Sequence, residues 1–274
     1  MLTQVDVKNV RSNTLQLPLL SAANGYAVRD IQGLDPVKAA LTTSSMAQLD
    51  GVQAQNARRD LRNITMKLGL VPNFVDTTVD SLRQGLYDYF MPKSNIGLTF
   101  WKDGVVYAVT SGQVESNDNN MFSADPEVDI SILCYDPDFY APAPVVSNLS
   151  TVTTTVTTPV SYSGNSDAGI IFKLNINATL SGFTVYNQQP DGTITSFAVT
   201  GSFVSGDVFT INSIPGQKAA TLTRSSVTTS ALSMVDPTNS GWPVFQKGDN
   251  LFRVLASVAS IPYTVTCTPK YGGL

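Results

Sequence analysis

The chain has 274 residues, 42% hydrophobic and 14% charged, with 17 Lys+Arg against 21 Asp+Glu, two Cys and no His. That length holds one large β domain or two of ordinary size, and the missing His excludes Ser-His-Asp and Cys-His nucleophiles, HExxH zinc sites and His-containing zinc fingers. A net charge of −4 leaves no excess of Lys/Arg to displace counterions from phosphates, so a nucleic-acid binder is not expected.

The opening MLTQVDVKNV has neither a basic n-region nor an apolar h-region, and no run of about 18 apolar residues follows. A soluble chain made in a cytoplasm, without membrane insertion, is expected. Thr14–Pro18 and Tyr26–Ile31 are short strand candidates. Arg58, Arg59 and Arg62, in NARRDLRN, form the one dense basic patch. Asp60 interrupts it, so a solvated face competes with an interface for an acidic protein partner, to which Arg forks pair well. In residues 61–71, Ile64, Met66, Leu68 and Leu70 alternate with Thr65, Lys67 and Gly69, which predicts a half-buried strand.

Val79, Leu82, Leu86 and Phe90 recur at helical spacing, with Thr77 or Thr78 as cap, Asp80 in the first turn and Pro92 as the stop. This predicts one amphipathic helix packed on a sheet. Asn95–Trp101 and Val105–Glu115 flank Lys102-Asp103-Gly104, a hairpin signal. Val128, Ile130, Ile132 and Cys134 mark one face of a further strand. Glu115 and Glu127 are the only glutamates and flank the loop SNDNNMFSADP. A hairpin bringing them within about 5–9 Å would suit a glycosidase pair, but a solvated strand edge explains them more simply. Asp118 and its Asn neighbours lack the spacing and turn glycine of a calcium loop.

Pro137, Pro142 and Pro144 break up the chain ahead of a Thr/Val-rich run, and only Asp167, Lys173, Asp191, Asp207, Lys218 and Arg224 are charged between Val145 and Val235. A domain boundary is expected there, giving domains 1–144 and 145–274. The second shows turn-bounded alternation throughout, from Ile170–Ile176 to Tyr263–Thr268, and predicts a β-sandwich or jelly roll. Cys134 and Cys267 form no CxxC pair and read as buried thiols. Trp242, in Ser-Gly-Trp-Pro, and Tyr186 are the candidate glycan contacts, with anchoring of a loop the competing role for Trp242. No catalytic residue, cofactor or metal site is expected: GSFVSG at 201–206 lacks the helix and Lys of a phosphate cradle.

The order of short motifs carries a resemblance. Gly206-Asp207-Val208-Phe209-Thr210-Ile211-Asn212, Gly216-Gln217-Lys218, Gly241-Trp242-Pro243, Gly248-Asp249-Asn250 and the closing Tyr271-Gly272-Gly273-Leu274 resemble the C-terminal half of phage distal tail proteins (Dit) of long, non-contractile tails. Gly25-Tyr26-Ala27-Val28, Ile31-Gln32-Gly33-Leu34 and the single helix before Pro92 fit the N-terminal half. Phe245 departs from the pattern, standing where a smaller aliphatic is common. The resemblance implies a mainly β structural virion protein, with no enzymatic activity. Its first domain would be a β-barrel-like, ring-forming sheet with one helix, its second a peripheral galectin-like sandwich. It further implies a homo-hexameric hub ring at the virion tail tip, joining the tail tube protein to a tail-tip hub protein. Receptor-binding or side-fibre proteins would dock outside for host attachment, and DNA would touch the channel only in transit. A carbohydrate-binding module acting through the second domain is the alternative.

Overall fold

The computed structural model describes residues 1–22, 24–45, 50–120 and 123–274. The chain divides into two compact units, Met1–Pro142 with Tyr271–Leu274, and Ala143–Lys270. Among the described residues, no helix is long and apolar enough to cross a membrane.

In the first unit, alternation sets the strands. They are β1 (Leu2–Lys8), β2 (Thr14–Pro18), β3 (Tyr26–Gln32), β4 (Ala39–Ser44), β5 (Gln53–Arg59) and β6 (Arg62–Leu70). Helix α1 (Val79–Phe90) follows, then β7 (Asn95–Lys102), β8 (Val105–Asn119), β9 (Glu127–Cys134) and β10 (Phe139–Tyr140). An antiparallel sheet runs β2-β1-β7-β8-β9-β6-β3. Its inner face buries Val5, Val7, Ile64, Met66, Leu68, Leu98, Phe100, Val128, Ile130 and Ile132. Its end strands β2 and β3 lie beside each other without a ladder between them, so the sheet is barrel-like, as expected, without being a closed barrel. β2 is five residues long and stops at Pro18, which has no N–H to extend a ladder. The Asp103-Gly104 turn has both residues at positive φ (52° and 83°), as a two-residue hairpin with right-handed twist requires.

α1 packs on the inner face through Leu82, Leu86 and Phe90. Each fully buried side chain of this kind contributes about 1.5–3 kcal/mol. Thr78 caps the start: its Oγ1 accepts from the Ser81 N–H (3.2 Å), and the Ser81 Oγ accepts from the Thr78 N–H (2.9 Å). At the other end, Asn9 Nδ2 donates to the Asp88 carbonyl (3.0 Å) and Asn117 Nδ2 to that of Phe90 (3.2 Å). These side chains satisfy carbonyls that a helix end leaves without partners.

One side chain ties the unit's connections together. Arg62 is fully buried, and its guanidinium donates only to backbone carbonyls. Nε reaches Pro137 (2.9 Å), Nη1 reaches Gly33 and Asp35 (2.7 Å to the latter), and Nη2 reaches Gly272 (2.6 Å). The guanidinium also lies 4.2 Å from the centre of the Phe139 ring, which meets Phe100 edge-on. Burial lowers the Arg62 pKa from its ordinary value, while Cys134, Asp138 and Asp35 pull it back up. The last residues complete the arrangement: Tyr271 stacks on Tyr107 (5.7 Å), and the Leu274 N–H donates to the Leu34 carbonyl (3.0 Å).

The second unit comprises β11 (Val145–Ser150), β12 (Thr158–Tyr162), β13 (Ala168–Gly169), β14 (Ile171–Asn175), β15 (Leu180–Gln188) and β16 (Ile194–Phe203). After them come β17 (Val208–Asn212), β18 (Ala219–Arg224), β19 (Val227–Ser230), β20 (Val244–Phe245), β21 (Gly248–Ala256) and β22 (Pro262–Cys267). A six-stranded sheet, β11-β22-β14-β17-β18-β19, and a four-stranded one, β12-β21-β15-β16, share one core. Phe172, Phe183, Phe203, Phe209, Phe252 and Tyr263 fill it, with ring centres 5.2–6.3 Å apart in tilted and edge-on pairs. This is the sandwich expected. Its β16 edge is covered by the chain at 235–241, where the Asp236 and Gly241 N–H groups donate to the Ala198 and Ser196 carbonyls.

Asp207 holds the hairpin that follows β16. Its buried carboxylate accepts from Arg224 Nε (2.8 Å) and Nη2 (2.6 Å) and from the Val204 N–H (2.9 Å). The Arg224 hydrogen bonds lower its pKa, against the opposing effect of burial.

Two predictions follow from these ties. Arg62→Met strands the four carbonyls, and should destabilise the first unit by about 3–5 kcal/mol. Arg62→Lys should recover little of this, because one ammonium cannot span all four positions. Urea unfolding followed by Trp101 fluorescence, in a Trp242→Phe background, reads this unit alone. For Asp207, a folded pKa below the unfolded value near 3.9 means stability present above about pH 5 and lost as pH falls through the folded pKa. Asp207→Asn should cost about 1–2 kcal/mol at pH 7, a figure discounted for the half-exposed Arg224, and should flatten that acid dependence. Urea melts at pH 7 and pH 3, read through Trp242, check it.

Candidate functional site

The three arginines read as one patch have three different fates. Arg58 stands exposed on β5, with no ion pair or hydrogen bond to its side chain among the described residues. Arg59 forms a two-pronged ion pair with the buried Asp138 carboxylate (2.5 and 2.9 Å). Arg62 is buried inside the unit, held by its carbonyl partners. Its short spacing from Arg58 is misleading because the chain leaves β5, turns at Asp60-Leu61 and enters the sheet as β6.

β4 and β5 form a separate hairpin, paired from Ala39↔Arg59 to Ser44↔Gln53. All of β5 is exposed, as is most of β4. Leu41 and Val52 stand 70% and 65% exposed. No described residue of the hairpin belongs to the core, and a two-stranded ribbon of this kind is marginal by itself in water. Residues 46–49, between its strands, lie outside the described residues.

At the hairpin's base lies a cleft of about 670 Å3. Pro36, Val37 and Lys38 line one side, and Asp60, Leu61 and Arg62 the other. Gly33 brings the 33–38 segment down to β6. It has φ +84°, and a Cβ there would stand 2.0 Å from the Asn63 carbonyl oxygen, so only glycine fits.

The outer face of β8, β9 and β6 is acidic. Asp118 sits opposite Asp129, and Asp30 opposite Lys67. Lys67 bridges Glu127 (3.3 Å) and Asp129 (3.8 Å), and the Glu127 hydrogen bond raises its pKa. Glu115 falls at a bulge between Val114↔Ile132 and Ser116↔Ser131, and accepts from the Ser131 hydroxyl (2.7 Å). The Asn120 N–H donates to the Glu127 carbonyl, which puts Glu127 four residues along β9 from Glu115's neighbour. Four residues of strand are about 13 Å, beyond the separation of a glycosidase pair. In the loop between them, residues 121–122 lie outside the described residues. Among the described residues, no group of three His, Cys, Asp or Glu could hold a metal.

The aromatic candidates do not share a face. Trp242 is half-buried against the core, with its ring 5.2 Å from Phe197 and Lys218 Nζ 5.8 Å from its centre. Tyr186 lies on the outer face of β15, with the Arg253 guanidinium 4.3 Å from its ring centre. In the first unit, Trp101 donates from Nε1 to Asp6 (2.8 Å). Cys134 and Cys267 are buried free thiols, and burial pushes the Cys267 pKa up to about 12. The sequence reading missed the hairpin and Asp138. Asp138 is the only residue of DPD to be buried, and nothing in that motif singles it out.

Residues 163–271 match the family model described as siphovirus-type tail component, C-terminal domain. No curated protein sequence matches the chain. Among solved structures, the crystal structure of the Dit protein of phage SPP1 is similar over 97% of this chain and 98% of that one. The TM-score is 0.68 at 14% identity. Two structures of the phage P2 baseplate in its activated conformation, with Ca and with Sr, cover 100% and 96% of this chain and 100% and 97% of those chains. Their TM-scores are 0.46 and 0.45, at 8% and 7% identity. The resemblance read from the ordered motifs is thus borne out: residues 163–271 match the model of the siphovirus-type tail component's C-terminal domain, and the chain has the fold of a phage distal tail protein.

Proposed function

We propose that this protein is the hub at the distal end of a phage tail, six copies closing into a ring around a passage for DNA. The first unit forms the ring, and the second faces outward to carry receptor-binding or side-fibre components. The tube protein docks on one side and the tail-tip hub protein on the other. Assembly takes place in the host cytoplasm, and the ring ends up at the virion tail tip. The family match over residues 163–271 supports reading the chain as a tail component. The observation that carries the ring is the β4–β5 hairpin, exposed along its length and without a core of its own. Such a ribbon gains its stability by lying against another molecule. The open ends of the first unit's sheet add unpaired edges that assembly would cover.

The acidic outer face of β8, β9 and β6 suits a conduit, since a basic lumen would hold DNA by counterion release. Negative-stain images paired with native mass test the reading. Wild type is expected to give rings with an open centre and a mass of six chains. Leu41→Asp together with Val52→Asp, both at exposed positions, should leave the thermal midpoint within about 0.5 kcal/mol equivalent and abolish the rings. Rings that persist in this variant would exclude the hairpin from the ring contact.

A further inference from the structure

The eight-residue link between β6 and α1 builds an apolar plug. Asn73 Oδ1 accepts from the N–H groups of Val75 (3.1 Å), Asp76 (2.9 Å) and Thr77 (2.9 Å), and from the Thr77 hydroxyl (3.1 Å). The Phe74 N–H donates to the Thr77 carbonyl (3.0 Å), and the Asn73 N–H to Thr77 Oγ1 (3.0 Å). This knot holds Phe74 at φ +57°, in the left-handed region that a bulky residue rarely adopts. The result is two large apolar side chains, Phe74 and Val75, standing 78% and 86% exposed at its tip. The strained turn thus presents both side chains to solvent, the kind of arrangement that a contact with another molecule would explain.

We propose that this plug seats in the cleft beside Arg62 of a second copy of the chain. The inference rests on the ring reading and names its contact. The cleft offers Pro36, Val37 and the 47%-exposed Leu61 to an aromatic anchor. Next to the plug is Asp76, whose carboxylate is held only by Asn73 Nδ2 (3.2 Å) among the described residues. The exposed Lys38 lines the cleft with Asp35 and Asp60, and Arg58 lies beyond it on β5 opposite Ala40, so Asp76 meets its partner on the Lys38 side. The two features stand at opposite ends of β6: the cleft takes in Arg62 and Asn63, while the plug follows Leu70. Nine residues of strand span roughly 26 Å or more, so a copy's plug cannot reach its own cleft. A contact joining different patches of two copies is head-to-tail, the kind that closes into a ring when its rotation allows.

The test pairs Val75→Cys with Leu61→Cys in one full-length chain, under mild oxidation; the native thiols are buried. The expected result is a ladder of disulfide-linked multimers from the double variant, and no species beyond a dimer from either single one. Phe74→Asn, which suits the left-handed turn, should weaken self-association at least tenfold while the melting temperature holds or rises. Rings that form without a ladder and survive Phe74→Asn would overturn the plug contact and leave the ring reading intact. A ladder without closed rings would uphold the contact and overturn the ring. Neither ladder nor ring would overturn both.

Discussion

A single buried guanidinium sets the architecture of the first unit. Arg62 carries a full charge into the interior with no carboxylate bonded to it, and four main-chain carbonyls from three stretches of chain answer it. A charge with that many donors is stable in a buried place only if all its partners arrive together. The segment after β3, the segment after β9 and the closing residues are therefore fixed with respect to β6 by one side chain. The cleft, the hairpin's base and the Arg59–Asp138 pair all lie on this fixed frame. The cleft proposed as a seat for the plug is fixed in shape for that reason.

The two units solve the same problem differently. The second is held by a continuous aromatic core between two sheets, with Asp207–Arg224 as a local clasp. It keeps its β16 edge covered. The first unit leaves more of itself unfinished: an open sheet, a ribbon with no core and an apolar plug. These exposed features lie where the proposed ring would place its neighbours.

Much of this was legible in the residues, and the failures have physical causes. α1 was readable because Val79, Leu82, Leu86 and Phe90 bury one stripe and Thr78 caps it. The Asp103-Gly104 turn was readable because both positions need positive φ. β4 and β5 were not, because neither of their faces is buried and AALTTS and QAQNARR show no alternation. The β18–β19 hairpin was hidden for another reason: its turn places Ser225 and Ser226 at positive φ without glycine. Arg62 looked like part of a surface patch because carbonyls leave no mark in a sequence. The spacing of Glu115 and Glu127 depended on a bulge at Val114/Ser116 that no pattern announces. That the barrel-like sheet stops short of closing could not be read, because closure depends on which edges meet and the alternation of a strand says nothing of its neighbour.

Residues Tyr271–Leu274 return to the first unit, so the second unit is an insertion in it. Gly272, the last of Arg62's partners, is made 210 residues after Arg62 itself. At about 5–20 residues per second, translation leaves the guanidinium without that partner for roughly 10–40 s. The second unit is synthesised in that interval. A truncated product therefore cannot complete the frame on which the assembly surfaces stand, and this ordering would keep partial chains out of a growing particle without any separate inspection step.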